Sequence, residues 1–287
     1  MTTRFKESSK KMNSAFNSRQ IAVNGVTLNV IVEGKGPDVL LVHGFPDCHD
    51  VWRHQIPALA EAGYRVIAPD MRGCGLSDAP AATRDYKMSH LVSDLAAVLD
   101  ALQIDKVRLV GHDHGALIGF QLCTTHPDRV DRLVAMSNGH PAAYARGPIE
   151  QKLKGWYVLF IQIRGLSDWV LRAGDWWFLR LLSGYPEEVP NWIQQLQRPG
   201  RLAARLNFYR ANLGLVVPKP WSKVARVSVP VMGIFSAGDR YLAEAQMTGT
   251  QEFVDAPWRY ERVEGANHWL QLSAPEKVNA LLLDYLR

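Results

Sequence analysis

The sequence predicts an α/β fold: a mostly parallel central sheet flanked by helices, with one long helical insertion. Three observations predict it. Short β-rich runs alternate with helical stripes from residue 18 to 136, and the alternation resumes at residue 229. Between residues 140 and 218 no run of strand type stands out, and the pattern is helical and aromatic. The chain is 287 residues long, 47% hydrophobic and 21% charged, which suits one large globular domain with an insertion.

The elements follow in order. Residues 21–23, 26–32 and 39–42 read as strands, with turns at Asn24-Gly25 and at residues 34–37. Residues 57–62 read as a short helix, with Pro57 in its first turn and Gly63 just past its end. Residues 65–68 form a buried strand. Residues 89–102 form a helix with Leu91, Leu95, Leu99 and Leu102 on one stripe. A strand at 107–110, a helix from Ala116 onward and a strand at 132–136 complete the first half. The insertion holds 12 of the 27 aromatics (nine each of Trp, Tyr and Phe), so it either packs onto the main domain or lines an apolar cleft. Strands at 229–236 and 258–263 and a helix at 275–286 close the chain. The expected organisation is a core of residues 18–139 and 219–287, a helical insertion at 140–218, and a flexible basic tail at 1–17.

Composition excludes several classes. The formal charge of +5 is small and interspersed, giving little support to a nucleic-acid partner. No apolar run approaches the roughly 18 residues of a membrane span. The basic first twenty residues lack the apolar stretch of a secretory signal. Cys48, Cys74 and Cys123 show no CxxC or zinc spacing, which points to a reduced cytoplasmic protein without a structural metal. The oligomeric state is open, a homodimer included.

The chemistry concentrates at Gly111-His112-Asp113-His114-Gly115, where a β run meets a helix. A sharp turn of this type holds a nucleophile above the sheet, and small residues two positions either side leave room for backbone. The plain alternative is an Asp that caps the following helix. As a nucleophile, Asp113 favours displacement at a saturated carbon, leaving an alkyl ester that water must cleave. His268, just after the last expected strand, can activate that water. Asp239, at the end of the preceding strand, can orient His268. Taken singly, each is an ordinary loop residue; the order nucleophile, acid, His is what links them. His43-Gly44-Phe45-Pro46 follows an earlier strand. Its Phe45 N–H, with the His114 N–H, can form an oxyanion hole. A simple strand-end turn is the alternative there.

With these motifs, and with Asp70-Met71-Arg72-Gly73-Cys74-Gly75-Leu76-Ser77 and His268-Trp269-Leu270-Gln271, the chain resembles the α/β-hydrolase superfamily from about residue 20 to its end. Within it the chain resembles the epoxide hydrolases. The resemblance implies an α/β-hydrolase fold with a helical cap, no cofactor and no metal. It implies two cap tyrosines on the epoxide oxygen, matching Tyr157 and Tyr209, and pocket positions at His43, Pro46 and Trp269. Core packing is the other reading of the tyrosines, since Tyr157 shares a stripe with Leu153 and Phe160, and Tyr209 with Leu202, Leu206 and Leu213. The expected partners are water and an apolar or aryl-substituted epoxide. The chain departs from the family at His114, where Trp is usual. A haloalkane or haloacid dehalogenase would share Asp113, His268 and Asp239, but His114, Leu117 and Tyr157-Val158 do not match its halide or carboxylate ligands. A ligand-binding protein on the same scaffold is the non-enzymatic alternative. An esterase is disfavoured because the elbow lacks Ser or Cys.

Overall fold

A computed structural model describes residues 16–218, 220 and 223–287. Most of the expected basic tail, and Lys219 at the expected start of the second core segment, lie outside the described residues. The sheet has eight strands: β1 (Ser18–Val23), β2 (Val26–Gly34), β3 (Asp38–Val42), β4 (Arg65–Pro69), β5 (Val107–His112), β6 (Val130–Met136), β7 (Val231–Ser236) and β8 (Trp258–Val263). Their spatial order is β1-β2-β4-β3-β5-β6-β7-β8. β1 and β2 form an antiparallel hairpin, β2 is antiparallel to β4, and the remaining pairs are parallel. Asn24 (φ 44°) and Gly25 (φ 76°) make the tight turn of the hairpin, both with the positive φ that such a two-residue turn needs. Asn17 adds a bond at this edge, its carbonyl accepting from Val32 N at 3.0 Å.

β3, β5 and β7 are buried on both faces, which explains their continuous Val, Leu and Ile runs. Helices α1 (Gln55–Glu61), α2 (Met88–Ala101), α3 (His114–Thr125) and, near the C-terminus, Pro275–Tyr285 cover the sheet. β3 has β4 on one side and β5 on the other, so the strand order reverses there. Crevices at the carboxyl ends of strands around such a switch point are where α/β sheets bind ligands.

Between β6 and β7 the chain builds the cap from α4 (Pro141–Arg146), α5 (Ile149–Lys154), α6 (Trp156–Ile161), α7 (Leu166–Leu182), α8 (Val189–Leu196) and α9 (Arg201–Ala211). Two details differ from the sequence reading. Leu153 does not share a stripe with Tyr157, because Gly155 separates α5 from α6 and Leu153 points to solvent. α7 is broken at residues 173–176, where Asp175 and Trp176 take left-handed backbone angles. Two short helices escaped periodicity altogether: α10 (Glu244–Thr248) and α11 (Leu270–Ser273), each too brief to show a stripe; the C-terminal helix is α12. No helix among the described residues is long and apolar enough to cross a membrane.

Candidate active site

The turn from β5 into α3 carries Asp113 at φ 51° and ψ −119°, a strained conformation for a residue with a Cβ. Its neighbours explain the glycines around it. A Cβ at Gly111 would sit 2.4 Å from the Gly115 carbonyl oxygen, and one at Gly115 would sit 1.9 Å from that of Val42. At Gly44 a Cβ would lie 2.5 Å from the Asp113 Cβ. The two loops therefore close on each other only because all three positions lack side chains.

Asp113 is buried, and both its oxygens are oriented. Phe45 N donates to Oδ2 at 2.9 Å, and Asn138 Nδ2 donates to Oδ1 at 2.8 Å. Burial works against the charged carboxylate, yet the neighbouring imidazoles and the Phe45 N–H hold its pKa below the usual value. His114 Nε2 lies 3.9 Å from Oδ2, but burial pushes that imidazole down to about 4. His114 is therefore neutral at pH 7, and Phe45 N and Asn138 Nδ2 are the hydrogen-bond donors to the carboxylate. The His114 backbone N–H opens α3 and has no intrahelical acceptor, which leaves it available beside Phe45 N.

His268 follows β8 in a turn, and its Nδ1 meets Asp239 Oδ2 at 2.7 Å. Asp239 is fixed in turn, its Oδ1 accepting from Tyr241 N at 2.8 Å and Leu242 N at 3.0 Å. Burial by itself would lower the His268 pKa; the Asp239 charge and hydrogen bond outweigh it and raise the value. Because Asp239 occupies Nδ1, the second ring nitrogen is the one able to take a proton from water.

A cavity of ≈ 260 Å³ opens over Asp113 and is lined by Phe45, Pro46, Tyr157, Tyr209, His268 and Trp269, among others. A smaller one of ≈ 50 Å³ reaches the other side of Asp113, past His114 and Phe208. The Tyr157 and Tyr209 rings stand edge to face, 6.1 Å apart. Burial raises both phenols well above their ordinary pKa. Among the described residues neither hydroxyl has a protein hydrogen-bond partner, so both are left for a ligand. His43 lines neither cavity, contrary to its expected place in the pocket. Its Nε2 accepts from Met71 N at 3.1 Å and its Nδ1 donates to Gly44 O at 3.0 Å. The buried loop needs those two partners, and they turn the ring away from the cleft.

Four residues near the site were given no role from the sequence. Asn138, two residues past the end of β6, supplies the amide to Asp113. His112 donates from Nε2 to the His268 carbonyl at 3.0 Å; burial lowers it to about 3, so it stays neutral. Arg205, one turn before Tyr209 on α9, reaches the Gly44 carbonyl with Nη2. Asp47 accepts from Trp192 Nε1 at 2.8 Å and Trp269 Nε1 at 2.9 Å, tying the cap to the His268 loop. Its acidic neighbour position after Gly-Phe-Pro was a usable signal. Burial raises Asp47 to about 7 despite those two bonds.

Cys48, His49 and Asp70 bring ligand-type atoms within 4.8 Å of one another. Asp70 is already occupied, accepting from His49 N and Nδ1, Asn29 Nδ2 and Leu76 N. Burial keeps the Cys48 thiol protonated. This cluster holds the loop after β4 and suits a metal poorly.

Comparison with known proteins agrees with this arrangement. Residues 37–162 match the family model of the alpha/beta hydrolase fold. The chain is 33% identical to an AB hydrolase superfamily protein of Bacillus subtilis, covering 93% of this chain and 96% of that one. It is 32% identical to epoxide hydrolase A of Mycobacterium tuberculosis, with 93% and 96% covered. The crystal structure of epoxide hydrolase A from Mycobacterium thermoresistibile superposes with a TM-score of 0.81 at 28% identity, covering 95% of this chain and 98% of that one. With the elbow, the His–Asp pair and the helical cap all in one chain of this similarity, the protein belongs to the epoxide hydrolase family of the α/β hydrolases.

Proposed function

We propose that the protein converts an apolar, aryl-substituted epoxide to a vicinal diol, with water as second substrate. The reading rests on one juxtaposition: Asp113, Tyr157 and Tyr209 line the same cavity, and the two hydroxyls have no protein partner. In the first step Asp113 Oδ1 attacks a ring carbon. That oxygen has a lone pair to spare beside the one bonded to Asn138. The ring C–O bond breaks as the ester C–O bond forms, and a tyrosine proton passes to the departing oxygen. In the second step water gives a proton to His268 and attacks the ester carbonyl carbon. Negative charge then builds on Oδ2, which the Phe45 and His114 N–H groups receive. Collapse breaks the acyl C–Oδ1 bond, and His268 returns its proton to the departing diol oxygen. The remaining proton of the attacking water passes from the new carboxylic acid through solvent to the tyrosinate, which restores the carboxylate with one oxygen from water. Asp239 stabilises the imidazolium between these events.

Under this reading residues 18–139 and 219–287 form the catalytic domain and 140–218 the cap that supplies both tyrosines. Pro46 and Trp269 are substrate walls, as are the rings of Trp156, Phe160 and Phe178. Each chain carries a full set of these groups, so the chemistry needs no second copy, and a homodimer is compatible with it. The three cysteines are free and buried, which suits a reducing compartment such as the cytoplasm.

His268→Gln tests the mechanism. Treated with styrene oxide, this variant should accumulate a covalent adduct of protein plus whole epoxide, mapped to Asp113 by peptide mass. Ester formation needs no base, whereas its hydrolysis does. An adduct on another residue, or none while the wild type turns over, would refute the role of Asp113. An adduct from a haloacid with loss of halide, without reaction of the epoxide, would favour a dehalogenase.

A further inference from the structure

We infer that the outer face of the cap docks on an anionic lipid surface, with the mouth of the larger cavity turned toward the acyl chains. Ten large hydrophobic side chains are exposed among the described residues, and nine of them fall between residues 149 and 181. The six most open, Ile149, Leu153, Leu159, Trp169, Trp177 and Leu181, are 60–69% exposed. Ile149 and Leu153, and Trp177 and Leu181, are each spaced by four within one helix, so each pair shares one helix face, while Ile163 stands exposed in the turn after α6. Apolar exposure this concentrated is unusual on a water-facing surface and marks an interaction site.

The patch is continuous with the cavity. Trp156 touches Phe160 with ring centroids 6.1 Å apart, Phe160 touches Phe178 at 5.6 Å, and Phe178 touches Trp177 at 6.1 Å. Trp156, Phe160, Phe178 and Leu181 also line the larger cavity. An apolar molecule can therefore pass from the face to the site without leaving hydrocarbon-like surroundings.

Charge selects the occupant. Residues 149–181 hold five cations and three acids. The acids are taken: Glu150 pairs with Lys154 at 3.2 Å, Asp175 with Arg180 at 3.3 Å, and Asp168 with Arg210. Lys152, Arg164 and Arg172 are exposed and have no acidic partner among the described residues. A second copy meeting this face across a two-fold axis would bring these cations against their own equivalents, with no free acid to answer them. Phosphate headgroups answer them directly, and Trp, Leu and Ile rimmed by Lys and Arg is the make-up of a face that lies in the lipid interface. Only the direction of substrate delivery rests on the epoxide reading; the docking does not.

Vesicle flotation of the full chain tests this. Wild type should float with phosphatidylcholine vesicles containing phosphatidylglycerol, bind phosphatidylcholine alone far less, and lose binding in high salt. Leu153→Glu with Trp169→Glu lies outside both cavities and should cut partitioning about tenfold or more. Turnover of dissolved styrene oxide should stay unchanged. Lys152→Gln with Arg164→Gln and Arg172→Gln, which leaves the apolar face intact, should cut the phosphatidylglycerol-dependent part about tenfold. No flotation with either vesicle, or binding indifferent to phosphatidylglycerol, would overturn the proposal. So would a wild-type dimer by light scattering that Leu153→Glu with Trp169→Glu makes monomeric. Vesicle binding without turnover of any epoxide would leave docking standing and sink the enzymatic reading instead.

Discussion

On the sheet side of the cavity Asp113, His268 and Asp239 are each held by directed hydrogen bonds, whereas on the cap side Tyr157 and Tyr209 are held by ring packing alone. Asp113 has a donor on each oxygen, and Asp239 receives two backbone N–H groups while holding His268. Tyr209 instead packs edge-on against Phe45, His114 and Tyr157. The difference follows from what each wall handles. In the proposed mechanism the carboxylate and the later oxyanion lie on the sheet side, and oriented dipoles stabilise charge only if they are already in place. There the cap side meets the epoxide oxygen, whose developing charge a tyrosine proton neutralises, and rings that pack without bonds leave their hydroxyls free to reach it. Asp47 ties the two walls, joining Trp192 of the cap to Trp269 beside His268, and Arg205 of the cap adds a second buried tie to the Gly44 carbonyl.

Breaking the sheet side should have the largest effect. Asp239→Asn should slow hydrolysis of the ester by up to about 10⁴-fold, because the imidazolium loses its counter-charge and the ring its tautomer. It should also move the acid limb of the pH profile. His268 must be neutral to act, and its pKa is raised above 6.5, so wild-type activity falls as pH drops through a value above 6.5. Without the Asp239 charge that limb should move to lower pH. A limb that stayed put would show that another group controls it.

The cap side should fail differently. Tyr157→Phe combined with Tyr209→Phe should slow ring opening by about 10²- to 10⁴-fold, the usual scale for a positioned acid. Single-turnover adduct formation measures this step directly. Since burial raises both phenols, neither tyrosine should produce an alkaline loss of activity below pH 10. Near-normal rates in the double variant would remove the tyrosines from the mechanism.

The tie between the walls should give the smallest effect. Asp47→Ala leaves two indole N–H groups without their acceptor and should lower stability by about 2 kcal/mol, read as a drop in Tm. If the cap side depends on this tie, KM should rise while the rate of ester hydrolysis in trapped enzyme holds. An equal loss in both would mean that Asp47 supports His268 more than it supports the cap.

Much of this is legible in the sequence. The strands announced themselves through Val, Leu and Ile runs because parallel strands buried on both faces must be apolar throughout. The elbow announced itself through Gly111 and Gly115 because backbone passes within a Cβ radius of both. Short helices such as α10 and α11 left no periodic trace, and the break in α7 lay inside a segment that reads as helical throughout. The resemblance placed His43 in the pocket, yet its two ring nitrogens are taken by Met71 N and the Gly44 carbonyl.

The sequence by itself determined the sheet, the insertion and the candidate nucleophile, since each depends on residues close together in the chain. Only the tertiary structure decided how those groups are supported and which of them face the cleft. Asn138, His112, Arg205 and Asp47 sit on separate strand ends, loops and cap helices. Their roles arise where those segments meet, from hydrogen-bond directions that no spacing encodes. The outward apolar face of the cap belongs to the same class: the pattern marked those residues as hydrophobic, and only packing decided which of them remained outside.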